Sequence, residues 1–223
     1  MAILPSLSTK LPALFLAISL FHGVVRPAAT ATNSTKGFVA VPLKKSNFEI
    51  QRPYDLALAK RYSFKDGVHK LWVYSNDLPH SLDSHTRPRT EIRIRGYDYS
   101  SGVWQFEGHG YVPKGTTGVA VMQVFGAAGH ATTAMIRVYN GSLYYYRHNL
   151  LSPDIYDRWF KLNVIHDVEV SRVEIYVDNE LKLTTRGQSG KNHFFKCGVY
   201  TQDDASRYLE SRWKEIRILR REA

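Results

Sequence analysis

The sequence predicts an all-β domain of jelly-roll type, built from two antiparallel sheets, and three observations predict it. Short β-rich runs follow one another with no sustained helical period. Gly, Pro, Asn and Asp separate them at the close spacing of a sandwich or jelly roll. Many of the runs alternate polar and apolar residues, as a strand must when one face meets a core and the other does not.

The runs expected as strands cover residues 68–74, 90–95, 103–112, 119–125, 133–139, 143–148, 160–165, 173–177, 181–185, 193–200 and 213–219. Between two of them, Asp178-Asn179 reads as a hairpin turn, because both residue types tolerate positive φ. Asn140-Gly141 suits a type I′ turn in the same way. Only residues 204–210 carry helical potential, short and peripheral. Residues 32–47 are polar and Ser/Thr-rich and are expected to form a flexible lead-in to a domain over residues 48–223.

The chain has 223 residues, enough for one β domain of ordinary size. Hydrophobic residues make up 43% and aromatics 13%, so a substantial core can be buried. Residues 1–31 read as a segment outside the fold. Lys10 precedes an apolar run from Leu11 to Val25, and small residues follow up to Ala31. That order describes a secretory signal peptide, and a run of about 15 residues is short for a membrane anchor. The chain carries 30 Lys and Arg against 20 Asp and Glu. Without Lys10 and Arg26 the balance is 30 − 2 − 20 = +8, which attracts anions such as acidic polysaccharide, organic acids or anionic lipid. A secretory route disfavours nucleic acid as partner. The single cysteine, Cys197, excludes an intrachain disulfide and reads as a small buried hydrophobe. Asn33 and Asn140 each head an Asn-x-Ser/Thr sequon open to glycosylation. The nine histidines are scattered without metal-ligand spacing, so no metal site and no cofactor is expected.

Three strands carry an unusual polar face. In residues 89–95, period two places Arg89, Glu91, Arg93 and Arg95 on one side and Ile92 and Ile94 on the other. Arginine's planar fork suits bidentate carboxylate binding. A solvated outer face, with Glu91 relieving Arg–Arg repulsion, accounts for the same pattern. Gln123 interrupts an apolar strand and shares a face with Phe125, and its amide needs partners. Lys196, Gly198, Tyr200 and Gln202 share one face of their strand, while Phe195, Cys197 and Val199 share the core face. Lys196 is open to a plainer reading as a snorkelling surface lysine, and Tyr200 as an ordinary half-buried sheet tyrosine. Together the three faces would form a concave, cationic, hydrogen-bonding groove.

RTEIR at 89–93, QVF at 123–125 and FFKCGVYTQ at 194–202 resemble, in order and spacing, the three signature strands of the alginate-lyase type polysaccharide lyases. That likeness implies a β-jelly roll with an open cleft. Within the superfamily, RPYDLALAKRYSF, TRPRTEIRIRGYDYSSGVWQFEG, MQVFGA and RVYNGSLYYYR resemble the plant citrate-binding proteins still more. By resemblance, Arg89 and Gln123 fall on positions that bind the substrate carboxylate. Tyr200 falls on the position of the general acid, in some members also the base. Glu91, Arg93 and Lys196 fall on supporting cleft positions. The departure is Phe125, where the lyases usually carry histidine. A phenyl ring has no titratable proton, and losing a general base typically costs about 10²–10⁴-fold in rate.

The resemblance therefore implies binding of citrate or a similar polycarboxylate more than catalysis. A lyase cleaving a uronate polymer by β-elimination and a lectin-like binder of acidic cell-wall glycan are the alternatives. If the chain is a lyase, Tyr200 is its catalytic residue, helped by His109, His130 or His148 should one of them reach the cleft. The likeness favours the vacuole as destination, with the extracellular space or cell wall as the alternative.

Overall fold

A computed structural model describes residues 34–127, 129 and 132–222. The segment read as a signal peptide, the Asn33 sequon and His130 lie outside the described residues. In chain order the strands are β1 (Phe38–Ala40), β2 (Phe48–Gln51), β3 (Tyr62–Lys65), β4 (Val68–Tyr74), β5 (Arg89–Ile94), β6 (Val103–Tyr111), β7 (Val119–Ala127) and β8 (Thr132–Tyr139). There follow β9 (Ser142–Tyr145), β10 (Asn149–Ser152), β11 (Trp159–Asp167), β12 (Arg172–Val177), β13 (Glu180–Arg186), β14 (Gly190–Thr201) and β15 (Tyr208–Arg221).

They form two antiparallel sheets, as the alternation requires. One runs β13-β12-β11-β6-β15-β4-β3, with β1 added along β15, and the other runs β10-β9-β8-β7-β14-β5-β2. The sheets bury a shared core: Phe106, Phe160 and Trp213 from the first meet Ile92, Met122 and Phe195 from the second, all at most 1% exposed. Phe106 touches both Trp213 and Phe195, so its ring ties the layers together. Gly110 makes room for this cluster, since a Cβ there would lie 2.7 Å from the Phe160 ring. Cys197 is fully buried in the same core, and burial pushes its thiol pKa up.

The expected turns form as their residues dictate. Asp178 and Asn179 both take positive φ, at 52° and 66°, and link Val177 to Glu180 as a two-residue hairpin. Asn140 and Gly141 do the same between Tyr139 and Ser142. Three expectations need correction. Residues 204–210 are not helical: Asp204 sits in a positive-φ turn and Tyr208 already opens β15, because pairing with β4 outweighs local propensity. The run at 143–148 stops at Tyr145, where Tyr146 turns to positive φ before β10. The lead-in is not loose throughout: β1 pairs with the end of β15, Phe38 opposite Arg221.

One half-buried and one buried histidine place a pH limit on this fold. His69 sits among the rings of Phe48, Tyr62 and Phe64, and burial lowers its pKa from 6.5 to about 4. His166 contacts the Tyr99 hydroxyl at 3.1 Å, and burial, with His193 beside it, lowers it likewise to about 4. Both are neutral in the folded chain at pH 5–6 yet protonate once unfolded. The stability they allow is therefore complete above pH 6.5 and lost as pH falls from there toward 4. Urea midpoints are expected to drop between pH 7 and pH 5, and His69→Phe to reduce that slope.

Candidate functional site

β5, β14 and β7 lie side by side in the second sheet, and their registers bring the polar faces together. Lys196 stands opposite Arg93 on one side and Gln123 on the other, and Tyr200 opposite Arg89. A bulge in β14 between Cys197 and Tyr200 accompanies Gly198 at φ +145°. A Cβ at Gly198 would lie 2.4 Å from the Thr90 carbonyl oxygen and 2.7 Å from the Glu91 Cα. Glycine thus lets β14 press against β5 just where the charged side chains converge.

Glu91 is the hub of the cluster. It has no exposure, and Arg89, Gln123 and Lys196 are only 6%, 1% and 3% exposed. Arg89 Nη1 donates to Glu91 Oε2 at 3.1 Å, Gln123 Nε2 donates to Oε1, and Lys196 Nζ lies 3.7 Å from Oε2. Lys196 also donates to Gln51 Oε1 at 2.7 Å, which rules out a snorkelling surface lysine. The Arg89 guanidinium lies 3.8 Å from the centre of the Tyr200 ring, a cation–π contact that fixes the phenol. Arg89 Nε is buried without a hydrogen-bond partner in the protein.

Arg89, Gln123, Lys196 and Tyr200 line a pocket of about 380 Å³, together with Gln51, His80, Thr86, Phe125, Thr132, Met135 and Phe194. Four expected site residues therefore meet. Glu91 does not line this pocket: it stands behind the cations as their shared acceptor, and a buried carboxylate there would repel an anion rather than bind it. Arg93 lines an adjoining groove instead, paired with Asp98 at 2.5 Å and stacked over Phe194 at 4.0 Å. Phe125 and Phe194 stack on each other at 4.7 Å and form the boundary shared by the two spaces.

Two of the histidines weighed as proton carriers, His109 and His148, lie away from this site. His109 lies on β6 of the other sheet, 3.0 Å from Glu215. His148 lies in the turn before β10, away from the pocket lining. His130 is outside the described residues. The histidine that does line the pocket is His80, from residues 75–88 between β4 and β5. Sequence pattern gave no signal for it, because an irregular segment has no periodicity. Gln51 was more accessible, since 48–51 alternates Phe, Glu, Ile and Gln. Burial lowers the pKa of His80, reinforced by Arg89 and Lys196. Burial likewise lowers that of Lys196, opposed by Glu91. Among the described residues, no group of three or more His, Cys, Asp or Glu could hold a metal ion.

The comparisons with known proteins agree with the fold that carries this site. The alginate lyase family model matches residues 41–220, nearly all of the described chain. The chain belongs to the alginate lyase family. A relative in that company is the citrate-binding protein of Hevea brasiliensis, 52% identical over 189 residues, or 84% of this chain and 79% of the relative. Among solved structures, the polysaccharide lyase family 7 alginate lyase AlgAT5 superposes with a TM-score of 0.63 at 17% identity, covering 77% of this chain and 93% of that one. The alginate lyase of Corynebacterium sp. superposes at 0.60 and 17% identity, covering 81% and 92%. At such identities these structures establish the jelly-roll fold alone.

The family fold therefore carries, in this chain, a buried carboxylate holding an arginine, a glutamine and a lysine at the floor of a pocket. Removing that charge leaves two buried cations without a counter-ion. Glu91→Gln is expected to cost about 3–5 kcal/mol, measured by chemical denaturation.

Proposed function

We propose that this protein binds a small polycarboxylate, citrate or a close relative, in the 380 Å³ pocket. The observation that carries this reading is a charge imbalance. Arg89 and Lys196 are both nearly excluded from solvent and share the single carboxylate of Glu91. One positive charge is left uncompensated beside the pocket, and Arg89 Nε has no protein acceptor. A ligand carboxylate supplies the missing charge and the missing acceptor together. Likeness to a citrate-binding protein at 52% identity supports citrate as the occupant. We place the protein in the secretory pathway, with the vacuole favoured, and a glycan on Asn140, which is itself exposed at its hairpin turn.

A second reading, a lyase acting on a uronate polymer, has one observation in its favour. Tyr200 and an imidazole, His80, line the same pocket, although Phe125 offers no titratable group. Acidic glycan binding without cleavage draws on the adjoining groove of about 880 Å³ with its Arg93 and Lys191, and competition between citrate and oligouronates separates it from citrate binding.

Arg89→Ala is expected to weaken citrate binding about 10- to 100-fold at low ionic strength, less as salt screens the charges. Unchanged affinity by calorimetry would remove Arg89 from the site. Incubation with alginate, glucuronan and pectate is expected to give no rise in ultraviolet absorbance from an unsaturated product. A steady rise that Tyr200→Phe abolishes would replace binding by catalysis.

A further inference from the structure

We propose that His80 is a ligand-binding residue of this pocket, taking up a proton as a carboxylate enters and pairing with it as the imidazolium. The inference rests on the carboxylate reading above and adds that the site binds anion and proton together.

The segment carrying His80 is held on both sides of the imidazole. Before it, Asp77 receives two hydrogen bonds from Arg61, at 2.7 and 2.6 Å, and the Pro79 carbonyl accepts from the Tyr54 N–H at 3.0 Å. After it, Ser84 N–H donates to the Ser81 carbonyl, Arg87 pairs with Asp203 at 2.5 Å, and the Pro88 carbonyl accepts from Thr201 N–H. The ring is thereby placed in the pocket wall by anchors on β14 and in the loops before β3 and after β14. Its Nδ1 is shut off from solvent and has no hydrogen-bond partner in the protein. The ring lines a pocket beside Arg89 and Lys196, and its unpartnered nitrogen leaves it free to become an imidazolium whose N–H groups a ligand carboxylate can accept from.

The charges around the ring decide when it is protonated. The charges that act on the ring are Arg89 and Glu91 on β5, Lys196 on β14 and Glu49 on β2; of these Arg89 and Lys196 line the pocket with it, beside the Tyr200 phenol and the Gln51 amide. Burial acts first and favours the neutral ring; Arg89 and Lys196 act in the same direction, and Glu91 and Glu49 oppose them. A ligand carboxylate between the cations and the ring reverses this balance. It neutralises part of the field of Arg89 and Lys196 and attracts the imidazolium directly. Protonation of His80 and binding of the anion then strengthen each other by the same factor. Atoms balance simply: one proton from solvent goes to the free ring nitrogen, and no covalent bond to the ligand forms.

The test is calorimetry with citrate near pH 5.5, 6.5 and 7.5, each in two buffers of different ionisation enthalpy, on the wild-type mature chain and on His80→Gln. Citrate's own titration is common to both proteins and cancels in the comparison. Near pH 6.5 the wild type is expected to take up roughly half to one proton more per citrate than the variant. Its affinity is expected to gain about tenfold more between pH 7.5 and 5.5. Equal proton uptake would overturn the proposal. NMR titration of the His80 ring in the wild type, with and without citrate, checks it without a substitution: its midpoint must move up when citrate binds. Citrate binding with an unmoved midpoint would overturn the role of His80 alone. No citrate binding at any pH would overturn both this inference and the carboxylate reading.

Discussion

The candidate site depends on one buried carboxylate. Glu91 has no exposure, and a charge so placed persists only if it is paired and hydrogen-bonded. Its partners come from three strands: Arg89 from its own, Gln123 from β7 and Lys196 from β14. Pairing with Glu91 locks those side chains in place before any ligand arrives. The entropy of ordering two long cationic side chains is thus met by folding and not by binding, which is how a preorganised site gains affinity. Gly198 belongs to the same constraint, because any side chain there would push β14 away from Glu91.

The same three strands serve the core and the site through their two faces. Ile92, Cys197 and Met122 enter the apolar interior while Glu91, Lys196 and Gln123 turn the other way. The polar layer is nearly as buried as the apolar one, so it behaves as a second, ionic core roofed by the pocket. The Phe125–Phe194 stack closes one side of that layer and presents apolar surface to the pocket. The imidazole present in the pocket comes instead from the segment before β5. The cations of the pocket thus come from the sheet and its imidazole from the loop.

Three buried or half-buried histidines respond to the same physical cause in different settings. His69 and His166 are structural: their rings pack against aromatic neighbours and stay neutral because burial penalises the charged form. His80 faces space that an anion can enter, so its charging can be compensated. Burial alone does not separate these roles. What separates them is whether the ring's surroundings are filled by protein.

Much of the architecture was legible from local pattern. Alternation over 89–95 assigned Ile92 and Ile94 to the core and Arg89 and Glu91 to the opposite face, and the structure agrees. Asn-Gly and Asp-Asn located two hairpins, since positive φ is a local property of those residues. Residues 204–210 misled because helical potential there yields to pairing with β4, a partner more than a hundred residues away in the chain. Within the site, period two named Arg89, Gln123, Lys196 and Tyr200 and motif likeness joined them, but neither could tell a solvated charge from a buried one. That Glu91 backs the cations and does not face the ligand, and that Arg93 is diverted to Asp98, follow from distances between strands. His80 lies in a segment without period, brought to the pocket by contacts to Arg61, Tyr54 and Thr201. Sequence by itself determined most of the strands, their faces and the sign of the charge they carry, because these depend on neighbours one or two residues away. Tertiary structure alone decided which charges are spent on one another and which is left for a ligand, because that depends on side chains meeting from strands and loops far apart in the chain.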